Sequence, residues 1–127
     1  MSARILVIED NQANLELMVY LLQQQGGHEV FTATDGIEGL AAAEKEQPAL
    51  ILCDVRMPNM DGYEFVRCSK ADLALKHIPV VAVTASVMAD EQQKIEQAGF
   101  DGYFTKPIDP ESFVHATEQF LSVSTGD

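Results

Sequence analysis

Five short apolar runs divide the chain and predict five β-strands. They cover residues 5–8, 30–33, 50–53, 80–83 and 103–104. The first, third and fourth runs are uninterrupted and rich in β-branched residues, which is typical of strands buried on both faces of a parallel sheet. The segments between the runs have helical patterns instead.

The segment after the first run has the pattern of an amphipathic helix. Its apolar residues fall at i, i+3, i+4 and i+7, and they are Leu15, Met18, Val19 and Leu22. Asn11 is placed to cap the start of this helix, and Gly26 and Gly27 are placed to end it. A single apolar stripe is therefore expected to face the sheet.

Four more helices are predicted along the rest of the chain. They are expected after the turn at residues 35–36, over residues 63–70, over residues 88–98, and from Pro110 onward, since proline fits a first helical turn. The middle of the fourth helix, residues 90–94, has few apolar side chains. We therefore expect this helix to bury little surface and to be loosely held.

The alternation of strand and helix, repeated five times, predicts an α/β sandwich with a parallel sheet. Five strands in a chain of 127 residues favour the flavodoxin-like strand order 2-1-3-4-5 over a dinucleotide-binding sheet, which needs six strands. We expect one domain over residues 1–127, with a core over residues 4–121 and a frayed tail over residues 122–127.

The charge of the chain narrows the classes of partner. The formal net charge is −12, which disfavours direct binding to nucleic acid or to an anionic membrane. The same charge suits a protein that binds divalent cations or a basic patch of a partner protein. No leader and no membrane span are visible in the sequence, so a cytoplasmic location is expected. The sequence has no Gly-rich phosphate-binding loop, so nothing in it supports a nucleotide cofactor.

Polar residues follow four of the five predicted strands. Glu9 and Asp10 follow the first strand, Asp54 follows the third, Thr84 follows the fourth, and Lys106 comes shortly after the fifth. Open parallel sheets bind ligands beyond the carboxyl ends of their strands. These five side chains are therefore expected to converge at one edge of the sheet.

The three carboxylates in this group repel one another unless positive charge lies beside them. Two carboxylates 4 Å apart repel by about 4 kcal/mol at an effective dielectric constant of 20. Lys106 offsets part of the repulsion, and Mg²⁺, which binds a few carboxylates together with a substrate phosphate, offsets more. The cluster therefore predicts a phosphoryl reaction, in which Asp54 supplies the attacking oxygen and forms an aspartyl phosphate.

Taken together, the motifs resemble the receiver domain of two-component response regulators, over residues 4–121. The matching motifs are Glu9-Asp10-Asn11, Asp54 followed by Met57-Pro58 and Asp61-Gly62, Thr84-Ala85, and Tyr103 followed by Lys106-Pro107. Each motif is short, but their order and their positions at the strand ends make the set specific. A free-standing single-domain regulator and a receiver excised from a hybrid histidine kinase would both carry them.

The resemblance implies a phosphoacceptor site with a metal ion. Asp54 would be phosphorylated by a histidine kinase or a phosphotransfer protein. Mg²⁺ would be bound by Asp10, Asp54 and the backbone carbonyl of Arg56, with Glu9 acting through water. Lys106 would pair with the phosphoryl group, and its peptide bond to the following proline would be cis.

The resemblance also implies a conformational switch. Thr84 would move toward the phosphoryl group, and Tyr103 would turn inward to fill the space. This movement would change the face built from the fourth helix, the fifth strand and the fifth helix, which controls a downstream protein partner. Such a domain is not an enzyme with an external substrate, since it catalyses only its own phosphorylation and dephosphorylation.

Two other interpretations compete with the signalling switch. A magnesium-dependent phosphohydrolase would carry a second carboxylate two residues after its nucleophile, where this chain has Arg56. A degenerate receiver, used only for binding, would lack some of the site residues. Taken singly, Glu9 and Asp10 also fit the acidic first turn of a helix, and Asp54 fits a turn. Their coincidence at one sheet edge favours the switch.

Overall fold

Five parallel strands form one sheet in this computed structural model, which describes residues 2–85 and 88–124, with side chains described as far as residue 121. The strands are β1 (Arg4–Ile8), β2 (Glu29–Ala33), β3 (Leu50–Asp54), β4 (Val80–Thr84) and β5 (Gly102–Thr105). Their order is β2-β1-β3-β4-β5, and each neighbouring pair is parallel. The flavodoxin-like order predicted from the sequence is confirmed.

Within the described residues, five helices connect and follow these strands. They are α1 (Gln12–Tyr20), which continues as a π-helical turn over Leu21–Gln25, α2 (Gly36–Glu46), α3 (Gly62–Ala71), α4 (Ala89–Ala98) and α5 (Phe113–Ser124). Side-chain oxygens cap the first three helices: those of Asn11, Asp35 and Asp61 accept hydrogen bonds of 2.8–2.9 Å from the backbone N–H three residues on. These caps start each helix soon after a strand ends.

Both limits of the last helix differ from the expected ones. Pro110 lies in a turn just before the helix and not in its first turn. The carbonyl of Asp109 accepts from the N–H groups of Ser112 and Phe113, so this turn leads directly into α5. At the other end α5 reaches Ser124, so residues 122–124 of the expected tail are helical. Residues 125–127 of that tail lie outside the described residues.

The core has two parts, one on each face of the sheet. Alternate residues of β1 point to opposite faces. Leu6 and Ile8 pack with side chains from α2, α3 and α4, whereas Ile5 and Val7 pack with side chains from α1 and α5. All four residues are fully buried, as expected for a strand covered on both faces. No helix in the described part of the chain is long and apolar enough to span a bilayer.

Helix α4 is attached to this core by few side chains. Only Glu91 and Ile95 are buried along it, which agrees with the predicted shortage of apolar positions. Its N-cap residue, Met88, makes no side-chain capping hydrogen bond. Gly99 ends the helix with φ of 112°, a left-handed conformation that favours glycine. A buried glutamate on this polar helix was not expected from the sequence.

Candidate functional site

The ends of β1 and β3 bring three acids together. Ile8 pairs with Cys53 in the parallel register, so the next residues along the two strands, Glu9 and Asp54, lie side by side. Glu9, Asp10 and Asp54 each place a carboxylate oxygen within 4.8 Å of the others. The expected meeting of these acids at the sheet edge is therefore present in the structure.

Lys106 lies against this acidic cluster. Its Nζ is 3.1 Å from Oε1 of Glu9 and 3.2 Å from Oδ2 of Asp54. The backbone positions it, because the N–H of Lys106 donates to the carbonyl of Thr84 at 2.8 Å. The peptide bond between Lys106 and Pro107 is cis, as the resemblance implied. One ammonium is therefore shared by two buried carboxylates.

A cleft of about 390 Å³ opens above the cluster. Its walls carry all five predicted site residues that follow strands, namely Glu9, Asp10, Asp54, Thr84 and Lys106. Arg56 and Asn14 line it as well. Glu9, Asp54 and Thr84 are buried, whereas Asp10 is exposed at the surface. The cleft therefore offers carboxylates, an ammonium and a buried threonine to a small anion or cation.

Burial and repulsion from Asp54 disfavour the ionised forms of Glu9 and Asp10. Burial raises the pKa of Glu9 to about 7, and hydrogen bonding and repulsion from Asp54 add to the effect. Burial and Asp54 also raise the pKa of Asp10. For Lys106, burial opposes the charged form, but its contacts with Glu9 and Asp54 outweigh burial and raise its pKa. Lys106 alone therefore does not neutralise the site.

These residues fit a hard divalent cation. Lys106 lies close to Oε1 of Glu9 but does not make a hydrogen bond with it. Among the described residues, this oxygen is the one buried side-chain oxygen or nitrogen without a hydrogen-bond partner. Oxygen ligands from two or three carboxylates are the kind of set that Mg²⁺ accepts. An additional positive charge would lower the pKa of Glu9 and offset the repulsion among the acids.

The segment after Asp54 is held close to the end of β3. The N–H of Gly62 donates to the carbonyl of Val55 at 2.8 Å. A Cβ on Gly62 would lie 2.4 Å from the backbone oxygen of Asp54, so only glycine allows this approach. The N–H of Arg56 points at Oδ1 of Asp54 over 3.4 Å. The Asp61-Gly62 motif thus shapes the backbone around the acid.

Tyr103, the expected switch residue, lies outside this cleft. It is on β5, pairs with Ala82 in the register, and packs half-buried against the part of the core that contains Leu6 and Ile8. Thr84 lies two residues after Ala82 on β4, so the two switch residues sit on adjacent strands. Their movement stays a prediction.

A group of three residues beside the cleft was missed by sequence reasoning. The carboxylate of Glu91 on α4 accepts a hydrogen bond from the hydroxyl of Tyr63 on α3 and one of 3.3 Å from the guanidinium of Arg56. Burial and the bond to Glu91 raise the pKa of Tyr63 to about 12, so its hydroxyl remains a donor at neutral pH. Because the partners are far apart in the sequence, no local spacing signals this contact.

Comparison with known sequences identifies relatives over most of the chain. A family model described as the response regulator receiver domain matches residues 5–118. The polar-differentiation response regulator DivK of Brucella ovis is 35% identical over 121 residues, which make up 95% of this chain and 98% of DivK.

Solved structures of similar proteins have the same fold. The chemotaxis response regulator CheY4 of Vibrio cholerae is 32% identical with a TM-score of 0.86, covering 95% of this chain and 99% of CheY4. The receiver domain of the sensor histidine kinase PA1611 of Pseudomonas aeruginosa is 28% identical with a TM-score of 0.87, covering 96% and 99% of the two chains. The PA1611 structure has a magnesium ion coordinated in its active-site cleft.

Proposed function

Because the chain belongs to the response regulator receiver domain family, a family of two-component signalling, we propose that Asp54 accepts a phosphoryl group in a magnesium-dependent reaction. The donor would be a histidine kinase or a phosphotransfer protein, and a downstream protein partner would read the result. The observation that carries this proposal is the convergence of three carboxylates and the ammonium of Lys106 in one cleft.

Each protein group has a separate task in this reaction. Asp54, 6% exposed at the end of β3, supplies the attacking carboxylate oxygen. Lys106, 3.2 Å from that carboxylate, neutralises negative charge on the transferred group. Phosphoryl transfer asks a protein mainly for positioning and charge neutralisation. A buried acid with a fixed ammonium beside it meets both needs.

The same cleft would hold the metal ion. Asp10, Asp54 and the backbone carbonyl of Arg56 are the proposed ligands, with Glu9 acting through water. When bound, Mg²⁺ supplies positive charge to the phosphoryl oxygens. The raised pKa of Glu9 and its buried oxygen that accepts no hydrogen bond support a cation at this place.

The proposed output is a change on the face formed by α4, β5 and α5. Thr84 would turn toward the phosphoryl group, and Tyr103 would move inward. Helix α4 is suited to respond, because few of its side chains are buried. The partner surface is proposed to be protein, with no direct contact to nucleic acid or membrane, and the cytoplasmic location stays a prediction.

Phosphorylation by a small donor tests the assignment of Asp54. We expect acetyl phosphate with Mg²⁺ to add one phosphoryl group, measured by intact-mass spectrometry, and EDTA to prevent the addition. Asp54→Asn should abolish it, because an amide oxygen is a poor nucleophile. Glu44→Gln, an exposed and distant charge change, is the matched control. Labelling that persists in Asp54→Asn would contradict the assignment.

We do not expect the protein to hydrolyse phosphate esters with multiple turnovers. A phosphohydrolase of the aspartyl phosphate type needs a general acid two residues after the nucleophile. Arg56 occupies that position, and its side chain pairs with Glu91. We therefore expect hydrolysis of p-nitrophenyl phosphate by the protein to equal that of Asp54→Asn.

A further inference from the structure

Glu91 is an unusual residue for the exposed helix that carries it. Its side chain is 10% exposed, and burying a carboxylate costs several kcal/mol unless it is paired. The hydroxyl of Tyr63 and the guanidinium of Arg56 supply hydrogen bonds to its two oxygens. Its place in the first turn of α4 adds a favourable interaction with the helix dipole. The two donors therefore hold α4 against α3 and the segment after β3.

Arg56 contacts both the phosphoacceptor and this helix. Its backbone N–H points at Oδ1 of Asp54 over 3.4 Å, whereas its guanidinium lies 3.3 Å from Oε1 of Glu91. The side chain is 81% exposed and lines the rim of the cleft that contains Asp54. Because this side chain is long and exposed, its guanidinium can pair either with the Glu91 carboxylate or with an anion at Asp54.

Building on the proposed function, we propose that Glu91 is a positioning residue that holds the Arg56 guanidinium on α4 until the aspartyl phosphate competes for it. Guanidinium binds phosphate and carboxylate with the same fork of N–H donors. A phosphoryl group adds nearly two negative charges and three acceptor oxygens beside Asp54. Phosphorylation then draws Arg56 off Glu91, and α4 keeps only the Tyr63 hydroxyl as a partner of that carboxylate among the described residues.

The consequence is a direct link between the phosphorylated residue and the output helix. Ile95 is the other buried side chain of α4, so losing one of two donors to Glu91 weakens one of the two buried attachments of the helix. This route acts beside the proposed movement of Thr84 and Tyr103. By linkage, an interaction that favours the unphosphorylated state must weaken the binding of any phosphoryl mimic by the same factor.

The affinity of the protein for beryllofluoride with Mg²⁺, a mimic of the aspartyl phosphate, tests the competition. Glu91→Gln should raise this affinity about three- to tenfold, since Arg56 is released to the anion. Glu96→Gln makes the same charge change on an exposed position of the same helix and should change it less than twofold. An equal effect of the two variants would overturn the proposal.

Two further variants separate competition from a merely structural role. In an Arg56→Gln background, Glu91→Gln should no longer raise the affinity, because the competing group is gone. Tyr63→Phe should not raise the affinity for beryllofluoride in any background, because Arg56 is then the one remaining described donor to the Glu91 carboxylate. A gain that survives Arg56→Gln, or a gain in Tyr63→Phe as large as that in Glu91→Gln, would also overturn the proposal.

Hydrogen exchange of α4 gives a second readout of the same link. Beryllofluoride should speed exchange of the α4 amides in the wild type, and this increase should shrink in Glu91→Gln, in which the ion pair with Arg56 is already lost. Labelling by acetyl phosphate is measured in parallel. Absence of labelling in the wild type refutes the proposed function, whereas normal labelling with an unchanged α4 response in Glu91→Gln refutes only the positioning role.

Discussion

Replacing Glu9 with glutamine should stabilise the metal-free protein at alkaline pH. Glu9 is 1% exposed and lies in a cluster with two other carboxylates. Its folded-state pKa of about 7 is above the ordinary value of 4.5. Its contribution to the free energy of unfolding is therefore most favourable below about pH 4.5, and it is lost as the pH rises through about 7.

The size of this effect follows from the pKa. A rise from 4.5 to about 7 corresponds to roughly 3 kcal/mol between the protonated and ionised limits, at 1.36 kcal/mol per pKa unit. Glutamine removes the negative charge, but it also removes the ion pair with Lys106. The loss of that ion pair reduces the gain in the free energy of unfolding. We expect Glu9→Gln to raise the free energy of unfolding by about 2 kcal/mol at pH 8, and by much less at pH 5.

Urea denaturation in EDTA at pH 5 and pH 8 measures the difference, with Glu44→Gln as the exposed control. Repeating the series with Mg²⁺ adds a second comparison. An ion at 100 times its dissociation constant stabilises by about 2.7 kcal/mol, and this gain should be smaller in Glu9→Gln. A variant less stable than the wild type at pH 8 in EDTA would refute the argument that the acids repel without a metal.

Three other variants test the site and the backbone of the protein. In Lys106→Ala, phosphorylation should change partner binding and α4 hydrogen exchange less than in the wild type, while labelling of Asp54 falls by a smaller factor. Equal losses of labelling and of the exchange response would count against a switch role for Lys106. Gly62→Ala should lower the free energy of unfolding by about 1–3 kcal/mol in urea denaturation, because its Cβ would lie 2.4 Å from a backbone oxygen. Gly27→Ala, with open space around it but φ of 69°, should cost about 1 kcal/mol.

Much of the fold could be predicted because local patterns and burial agree. The continuous apolar runs at β1, β3 and β4 become strands with every apolar residue buried, as strands covered by helices on both faces must be. Helix α1 begins after its cap at Asn11, and α4 ends at Gly99, as expected. Helix α5 begins at Phe113, three residues after the proline that marked its expected start, because a short turn from Asp109 precedes it.

The acidic site was also predictable in outline. Parallel strands bring their carboxyl ends to one edge, so residues that directly follow β1 and β3 meet whatever their separation in the chain. The register of Ile8 with Cys53 then decides that Glu9 is the acid beside Asp54. The burial of Glu9 and the resulting rise of its pKa needed the packed structure, because desolvation depends on neighbours from several elements.

The sequence alone determined the elements, their order and the set of acids and base at the sheet edge, because periodicity and strand ends are local properties of the chain. Only the tertiary structure decided that Tyr63 and Arg56 meet Glu91. That contact joins side chains from α3, the segment after β3 and α4, and it depends on how the helices pack against one another. Helix packing is set by the summed burial of many side chains, which no short motif encodes.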